Sequence, residues 1–172
     1  YQFGLREGAD NFTIEDLKKG TEYAHENNSK IYITVNIIPH DEDLKNLPEY
    51  LIKLNNIGVD ALIVSDPGII RIIKNHDINI PLFLSTQANA VNSESINFWS
   101  EIGISRVILA RELSKSEIIE INKKTDIELE LFIHGSMCIS YSGRCLLSNY
   151  MVGRDANMGR CAHSCRWKYY LM

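Results

Sequence analysis

The stretch ALIVSDPGIIRIIKNHDINIPLFLSTQA, residues 61–88, decides the fold of this chain. Ala61 to Val64 is a short apolar run that ends at the polar pair Ser65-Asp66. Pro67 then opens a segment with isoleucines at 69, 70, 72 and 73, one apolar helix face, which runs to about His76. Pro81 to Ser85 is a second strand and ends in Thr86-Gln87-Ala88. A strand, a helix and a strand joined by short loops predict parallel pairing through a right-handed crossover.

The same alternation continues outward in both directions. Toward the N-terminus, Tyr1 to Phe12 reads as a loop, and Thr13 caps a helix that reaches roughly Asn27 through a T-x-x-D relative of the capping box. Ile31 to Ile37 is a β-branched strand, too apolar to alternate and so expected to be covered on both faces. After Pro39, Asp41 to Ile57 has helical spacing through Leu44, Leu47, Leu51 and Leu54, and Asn55-Asn56-Ile57-Gly58 ends it. Toward the C-terminus, Ser93 caps the helix SESINFWSEIG and Arg106 to Ala110 is the next strand. Ser114 caps a helix from Lys115 to about Lys124 with Ile118, Ile119 and Ile121 inward, and Leu129 to Ile133 is the last strand.

Five strands alternating with helices predict an α/β fold with a parallel sheet, either doubly wound or a barrel. The strands are short and uniform, so the expectation is a (β/α) TIM-type barrel, incomplete in this fragment, over residues 1–135. A Cys-rich segment over residues 136–172 is expected to pack on the same domain. The chain opens on Tyr1 and stops shortly after Trp167-Lys168-Tyr169-Tyr170, which reads as a piece of a longer protein. Its 172 residues, 45% hydrophobic and 23% charged, suit one globular domain with a real core. No apolar run approaches the length of a membrane span.

All four cysteines lie in that terminal segment, at 138, 145, 161 and 165, with spacing C-x6-C-x15-C-x3-C. Such crowding points to a shared partner. Zinc prefers two tight pairs, and only Cys161 and Cys165 form one; an iron–sulfur cluster accepts ligands from a wider loop. Two disulfides, or unrelated thiols, also satisfy the spacing. The segment holds Arg144, Arg154, Arg160, Arg166 and Lys168 against Asp155 alone, so it is +4, while residues 1–135 carry −8 of the chain's net −4. With its tyrosines and Trp167 it suits a phosphate backbone and stacked bases, or it neutralises an anionic cluster.

In barrels of this kind the residues just past each strand line the functional mouth. Here they are Asn36, Ser65, Asp66, Thr86, Gln87, Arg111, Glu112 and His134. Asp66 with His134 are candidates for acid–base work, with Gln87 beside them, and Arg111 is a candidate holder of an anionic ligand. Familiar motifs are missing. G-x-G-x-x-G, G-x-x-x-x-G-K and G-x-S-x-G do not occur, and His25-Glu26 lacks the second histidine of H-E-x-x-H because residue 29 is Ser. His163, between two cysteines, reads as surface or as a donor to a sulfur ligand.

From Glu130 the sequence resembles a known family. Glu130-Leu131-Phe132-Ile133-His134-Gly135-Ser136-Met137-Cys138, then Ser142-Gly143-Arg144-Cys145-Leu146-Leu147-Ser148, is similar to the signature of the collagenase-like peptidases, peptidase family U32. Val35-Asn36 with His40, Ser85-Thr86-Gln87 with Asn92, and Ala110-Arg111-Glu112-Leu113-Ser114 agree with it. The resemblance implies a TIM-like barrel with a cysteine loop. The family is named for proteolysis, while members like this chain hydroxylate tRNA uridine, ribosomal cytidine or the ubiquinone ring, several with a 4Fe–4S cluster. Arg154-Asp155-Ala156-Asn157 and Cys161-Ala162-His163-Ser164-Cys165-Arg166-Trp167-Lys168-Tyr169 are most similar to the oxygen-independent, prephenate-linked tRNA uridine hydroxylases.

On that resemblance Cys138, Cys145, Cys161 and Cys165 are the cluster ligands, and prephenate is a co-substrate. Asn36 at the strand-end mouth, and Arg144, Arg166, Trp167 and Lys168 of the basic aromatic segment, are the candidate substrate-binding residues. The implied partners are tRNA and a paralogous subunit, with no membrane, in the cytoplasm. The alternatives are a collagenase-like peptidase and a non-catalytic module holding structural zinc.

Overall fold

The computed structural model describes residues 3–5, 11–135 and 137–170. Most of the opening loop expected over Tyr1 to Phe12 lies outside them, as do Ser136 and the last two residues. Among the described residues five parallel strands form one sheet in the order β1-β2-β3-β4-β5. They are β1 (Tyr32–Val35), β2 (Ala61–Val64), β3 (Leu82–Leu84), β4 (Ile104–Ile108) and β5 (Glu128–Glu130). The order is sequential, with no reversal of the kind a doubly wound sheet has. With right-handed crossovers, that places every connecting helix on one face of the sheet.

The helix-facing side chains carry the core. Ile33, Val35, Leu62, Val64, Leu82, Leu84, Ile104 and Val107 cluster with Leu51, Leu54, Ile69, Ile73, Ile96 and Ile121 from the helices. Each such side chain contributes roughly 1.5–3 kcal/mol by leaving water. The opposite face differs. There Arg106 lies 4.2 Å from the centre of the Phe83 ring and 5.5 Å from that of Tyr32. Its guanidinium pairs with Glu128 at 2.8 Å and Glu130 at 3.2 Å. Thr34 is exposed between the buried Ile33 and Val35, so the strand alternates, contrary to the expectation that both its faces are covered.

Local chemistry sets the helix limits. α1 (Ile14–Glu26) starts in a full capping box, with Asp16 N–H donating to Thr13 Oγ1 at 3.1 Å and Thr13 N–H donating to Asp16 Oδ2 at 2.9 Å. The single helix expected over 41–57 is two, α2 (Asp41–Leu44) and α3 (Leu47–Ile57). Pro48 is the cause: it lacks the N–H that would bond Leu44, and its ring clashes with that carbonyl. Gly58 ends α3 at φ 83°. α4 (Pro67–Asn75) is capped by Asp66, α5 (Ser93–Glu101) by Asn92 rather than Ser93, and α6 (Lys115–Asn122) by Ser114. Ile119 points outward at 45% exposure, whereas Ile121 is buried.

Two strands are displaced from their expected bounds. β4 begins at Ile104, which pairs with Leu82, and not at Arg106. β5 ends at Glu130, three residues early, because β4 is its one neighbour and stops at Ile108. Leu109 N–H still donates to Glu130 O at 2.8 Å; beyond that Leu131, Phe132 and Ile133 are exposed. The terminal segment follows as short turns around one helix: η2 (Tyr141–Gly143), α7 (Leu147–Val152), η3 (Ala156–Met158) and η4 (Ser164–Arg166), with α7 packed on η3 and η4. No helix among the described residues is long and apolar enough to cross a membrane.

Candidate functional site

Parallel strands bring their carboxyl ends to one rim, and three of those ends carry interlocked polar groups. Past β1, Asn36 Nδ2 donates to Ser85 Oγ at 3.2 Å, and Ser65 Oγ donates to Asn36 O at 3.1 Å. Past β3, Ser85 accepts the Gln87 N–H at 3.5 Å and opens the turn η1 (Thr86–Ala88). Gln87 is only 4% exposed. Asn36 Oδ1, Thr86 Oγ1, Gln87 Oε1, Asn89 Oδ1 and Arg111 Nε are buried with no hydrogen-bond partner among the described residues. Buried polar atoms without partners cost free energy, so their concentration at one rim marks a place for polar ligand atoms or water.

The cysteine segment closes over this rim through three contacts. Ser142 N–H and O–H both donate to the Glu112 carboxylate, at 2.6 and 2.9 Å. Burial disfavours the charged Glu112, but the two Ser142 bonds and the neighbouring Arg111 charge outweigh it and hold the carboxyl below its ordinary value. Arg144 Nε donates to the Gln87 carbonyl at 3.1 Å. Ile38 N–H donates to Asn157 O at 3.1 Å. Ser142 sits at φ 46° and Gly143 at φ 80°. A Cβ on Gly143 would lie 3.4 Å from Arg111 Nη2 and 3.6 Å from Gln87 Nε2, so the glycine lets the turn rest on both side chains.

Cys145 is half-buried, whereas Cys138, Cys161 and Cys165 are exposed, and all four are free thiols. A hydrogen bond from Ser140 holds the Cys145 thiol below its usual value, opposed by burial and helped by the Leu147 and Ser148 N–H groups. Leu147 N–H meets Cys145 Sγ at 3.3 Å, and His163 N–H meets Cys161 Sγ at 3.3 Å. It is thus the backbone of His163 that reaches a sulfur. Ala162 N–H donates to Ser148 Oγ at 2.9 Å, which draws the Cys161 turn against α7. Among the described residues no three His, Cys, Asp or Glu side chains stand together as a metal site.

The remaining candidates separate. Asn36, Gln87, Arg111 and Arg144 meet at the rim. Asp66 spends its carboxylate capping α4, where Oδ1 accepts the Ile69 N–H at 3.1 Å. His134 lies exposed beyond β5 and makes no hydrogen bond to Asp66 among the described residues. Arg166, Trp167 and Lys168 are exposed at the end of the segment, beside Tyr169 and Tyr170. Ser85, Ser142 and Asn157 are central here; each lies in a stretch that carries the family resemblance, but that linear pattern does not show what the residue bonds. Their partners lie 49, 30 and 12 residues away in sequence, too far for a local pattern to show.

Comparison with known proteins agrees with this architecture. Peptidase family U32 matches residues 1–172. The tRNA hydroxylation protein P1 of Bacillus subtilis (strain 168) is 49% identical over 99% of this chain and 40% of its own length. The tRNA hydroxylation protein P of Escherichia coli (strain K12) is 47% identical over 98% of this chain and 37% of its own length. The chain therefore spans about two fifths of these relatives. The solved structure of the U32 peptidase Mk0906 shares the fold at TM-score 0.57, with 14% identity over 68% of this chain and 51% of that one. With its whole length matched, this chain belongs to peptidase family U32.

Proposed function

We propose that this chain is the part of an RNA-modifying enzyme that hydroxylates a tRNA uridine, with a 4Fe–4S cluster on Cys138, Cys145, Cys161 and Cys165. The observation that carries it is the closure of the thiol-bearing segment over a rim of unpartnered polar groups. The names of relatives sharing nearly half of its residues support the same reaction. The donor chemistry fits a cluster: four thiols, two of which already accept backbone N–H bonds of the kind that tune cluster sulfurs. Holding it requires the three exposed thiols to gather around Cys145. A bound cluster supplies one-electron chemistry and order to the loop.

The chain's own side chains do the rest. The Asn36 and Gln87 amides offer acceptors and donors to a uracil edge, whose N3–H donates and whose O4 accepts. Arg111 holds a carboxylate of prephenate as co-substrate. Arg144, Arg166 and Lys168 attract phosphates, and Trp167 with the exposed tyrosines stacks bases. Asp66 and His134 act as acid and base only if loop movement brings them together. The sheet belongs to a TIM-type barrel: its order is sequential and parallel, with β1 and β5 as its outer strands among the described residues, where further strands or a paralogous subunit would continue it. The reaction belongs in the cytoplasm, where tRNA and reduced thiols coexist.

The test is metal and sulfide content of full-length protein purified without oxygen, with nucleoside analysis of tRNA from a deletion strain. About four iron and four sulfide per chain are expected, together with loss of the hydroxylated uridine in the deletion strain and in a Cys145→Ser strain. Zinc alone with unchanged tRNA would overturn the reading. Cleavage of gelatin by metal-free protein would replace it with the peptidase.

A further inference from the structure

We infer that Asn157 is a positioning residue that pins Cys145 to the carboxyl end of β1, so that one of the four thiols is fixed before any metal binds. The consequence for metal loading rests on the cluster reading above; the pin itself does not. Asn157 meets the Cys145 backbone with both ends of its amide. Oδ1 accepts the Cys145 N–H at 3.2 Å, and Nδ2 donates to the Cys145 carbonyl at 3.3 Å. This is the paired exchange that one strand offers another, supplied by a single side chain.

Asn157 is itself held at two points. Its N–H donates to Asp155 Oδ1 at 2.8 Å inside the turn that opens η3, and its carbonyl accepts from Ile38, three residues past the end of β1. Ile37 beside that contact is fully buried, so the anchor reaches rigid structure. Cys145 is correspondingly half-buried while the other three thiols are exposed. Only an asparagine side chain suits this double bond, since aspartate offers acceptors alone, glutamine is one methylene too long, and alanine offers nothing. Cys145 is then the half-buried, pinned point onto which the exposed Cys138, Cys161 and Cys165 close.

The experiment is hydrogen exchange resolved at Cys145 in metal-free full-length protein, wild type and Asn157→Ala, with strand amides as the control for global unfolding. Exchange at Cys145 is expected to rise about ten- to thirty-fold in Asn157→Ala, the factor that one or two ordinary hydrogen bonds give, with Val35 and Val64 unchanged. Asn157→Asp keeps the acceptor and is expected to keep Cys145 protected within about three-fold. On iron-loaded protein both variants are expected to release iron to a chelator faster than wild type. A Cys145 amide that exchanges unprotected in wild type, or unchanged in Asn157→Ala, overturns the pin. The wild-type measurement suffices for that even if the alanine variant does not fold. Protected Cys145 in protein that binds no iron keeps the pin and rejects the cluster; unprotected Cys145 with full iron does the reverse.

Discussion

Replacing Glu112 by Ala should undock the turn over Tyr141–Gly143 from the strand ends while leaving the sheet intact. The carboxylate receives two bonds from Ser142, at 2.6 and 2.9 Å. A hydrogen bond to a charged group is worth about 1.5–3 kcal/mol when shielded. Glu112 is exposed, so solvent screening reduces each to roughly 1 kcal/mol. Ser142 is fully buried and would be left with two unpaired donors until the turn moves to water. Together these give about 2 kcal/mol, or roughly a thirty-fold rise in local opening. Glu112→Gln should lose about half of that, because the amide oxygen keeps the N–H bond and the amide nitrogen can donate to Ser142 Oγ.

The pH dependence follows from the depressed pKa of Glu112. Its folded value lies below the unfolded one of about 4.3, so the stabilisation is present above that value and is lost as pH falls through the folded pKa. Hydrogen-exchange mass spectrometry of a peptide spanning 137–147, corrected for intrinsic rates, reads both effects. Protection should be level from about pH 7 to 5 and fall below about 4, with no such step in Glu112→Gln. Wild-type exchange across that peptide in Glu112→Ala would refute the latch. A matching loss of protection in β2 would instead show that Glu112 supports the whole domain.

Asp66→Asn should fold normally and keep tRNA modification, since asparagine caps a helix as well as aspartate and the observed role of the carboxylate is to cap α4. A loss beyond about a hundred-fold in rate would return Asp66 to acid–base chemistry. Arg106→Met should cost about 2 kcal/mol by removing the solvent-screened ion pairs with Glu128 and Glu130 and the contact with Phe83. For a domain of this size that lowers the melting temperature by about 4–8 °C. Arg106→Lys should recover part of it, and an unchanged melting curve for Arg106→Met would show that the opposite face carries no load.

The elements were largely legible because their causes are local. Thr13 with Asp16, Pro67 after Asp66, Gly58 and Ser114 are capping and breaking signals that act within a turn of their own position, and each marks an observed boundary. The misreadings share a cause as well. β5 reads on to Ile133 because Leu131, Phe132 and Ile133 are apolar, yet a strand ends where its neighbour does. Ile119 fits an apolar stripe and still faces water. The two-helix break at Pro48 was local and readable, since the ring forbids the bond to Leu44, but the leucine spacing ran across it.

The four cysteines, the basic aromatic tail and the polar strand ends are properties of the amino-acid sequence alone, because composition and spacing need no neighbours to be seen. The family signature from Glu130 to Ser148 is likewise a linear pattern, and the match over residues 1–172 agrees with it. Which of the polar groups share one site was decided only in three dimensions. Parallel pairing sets Asn36, Gln87 and Arg111 on one rim, Glu112 and Asn157 fasten a distant segment across it, and Asp66 is drawn into its own helix. A hydrogen bond depends on distance and angle, and a chain that doubles back 30 residues later sets both without leaving a periodic mark in its sequence.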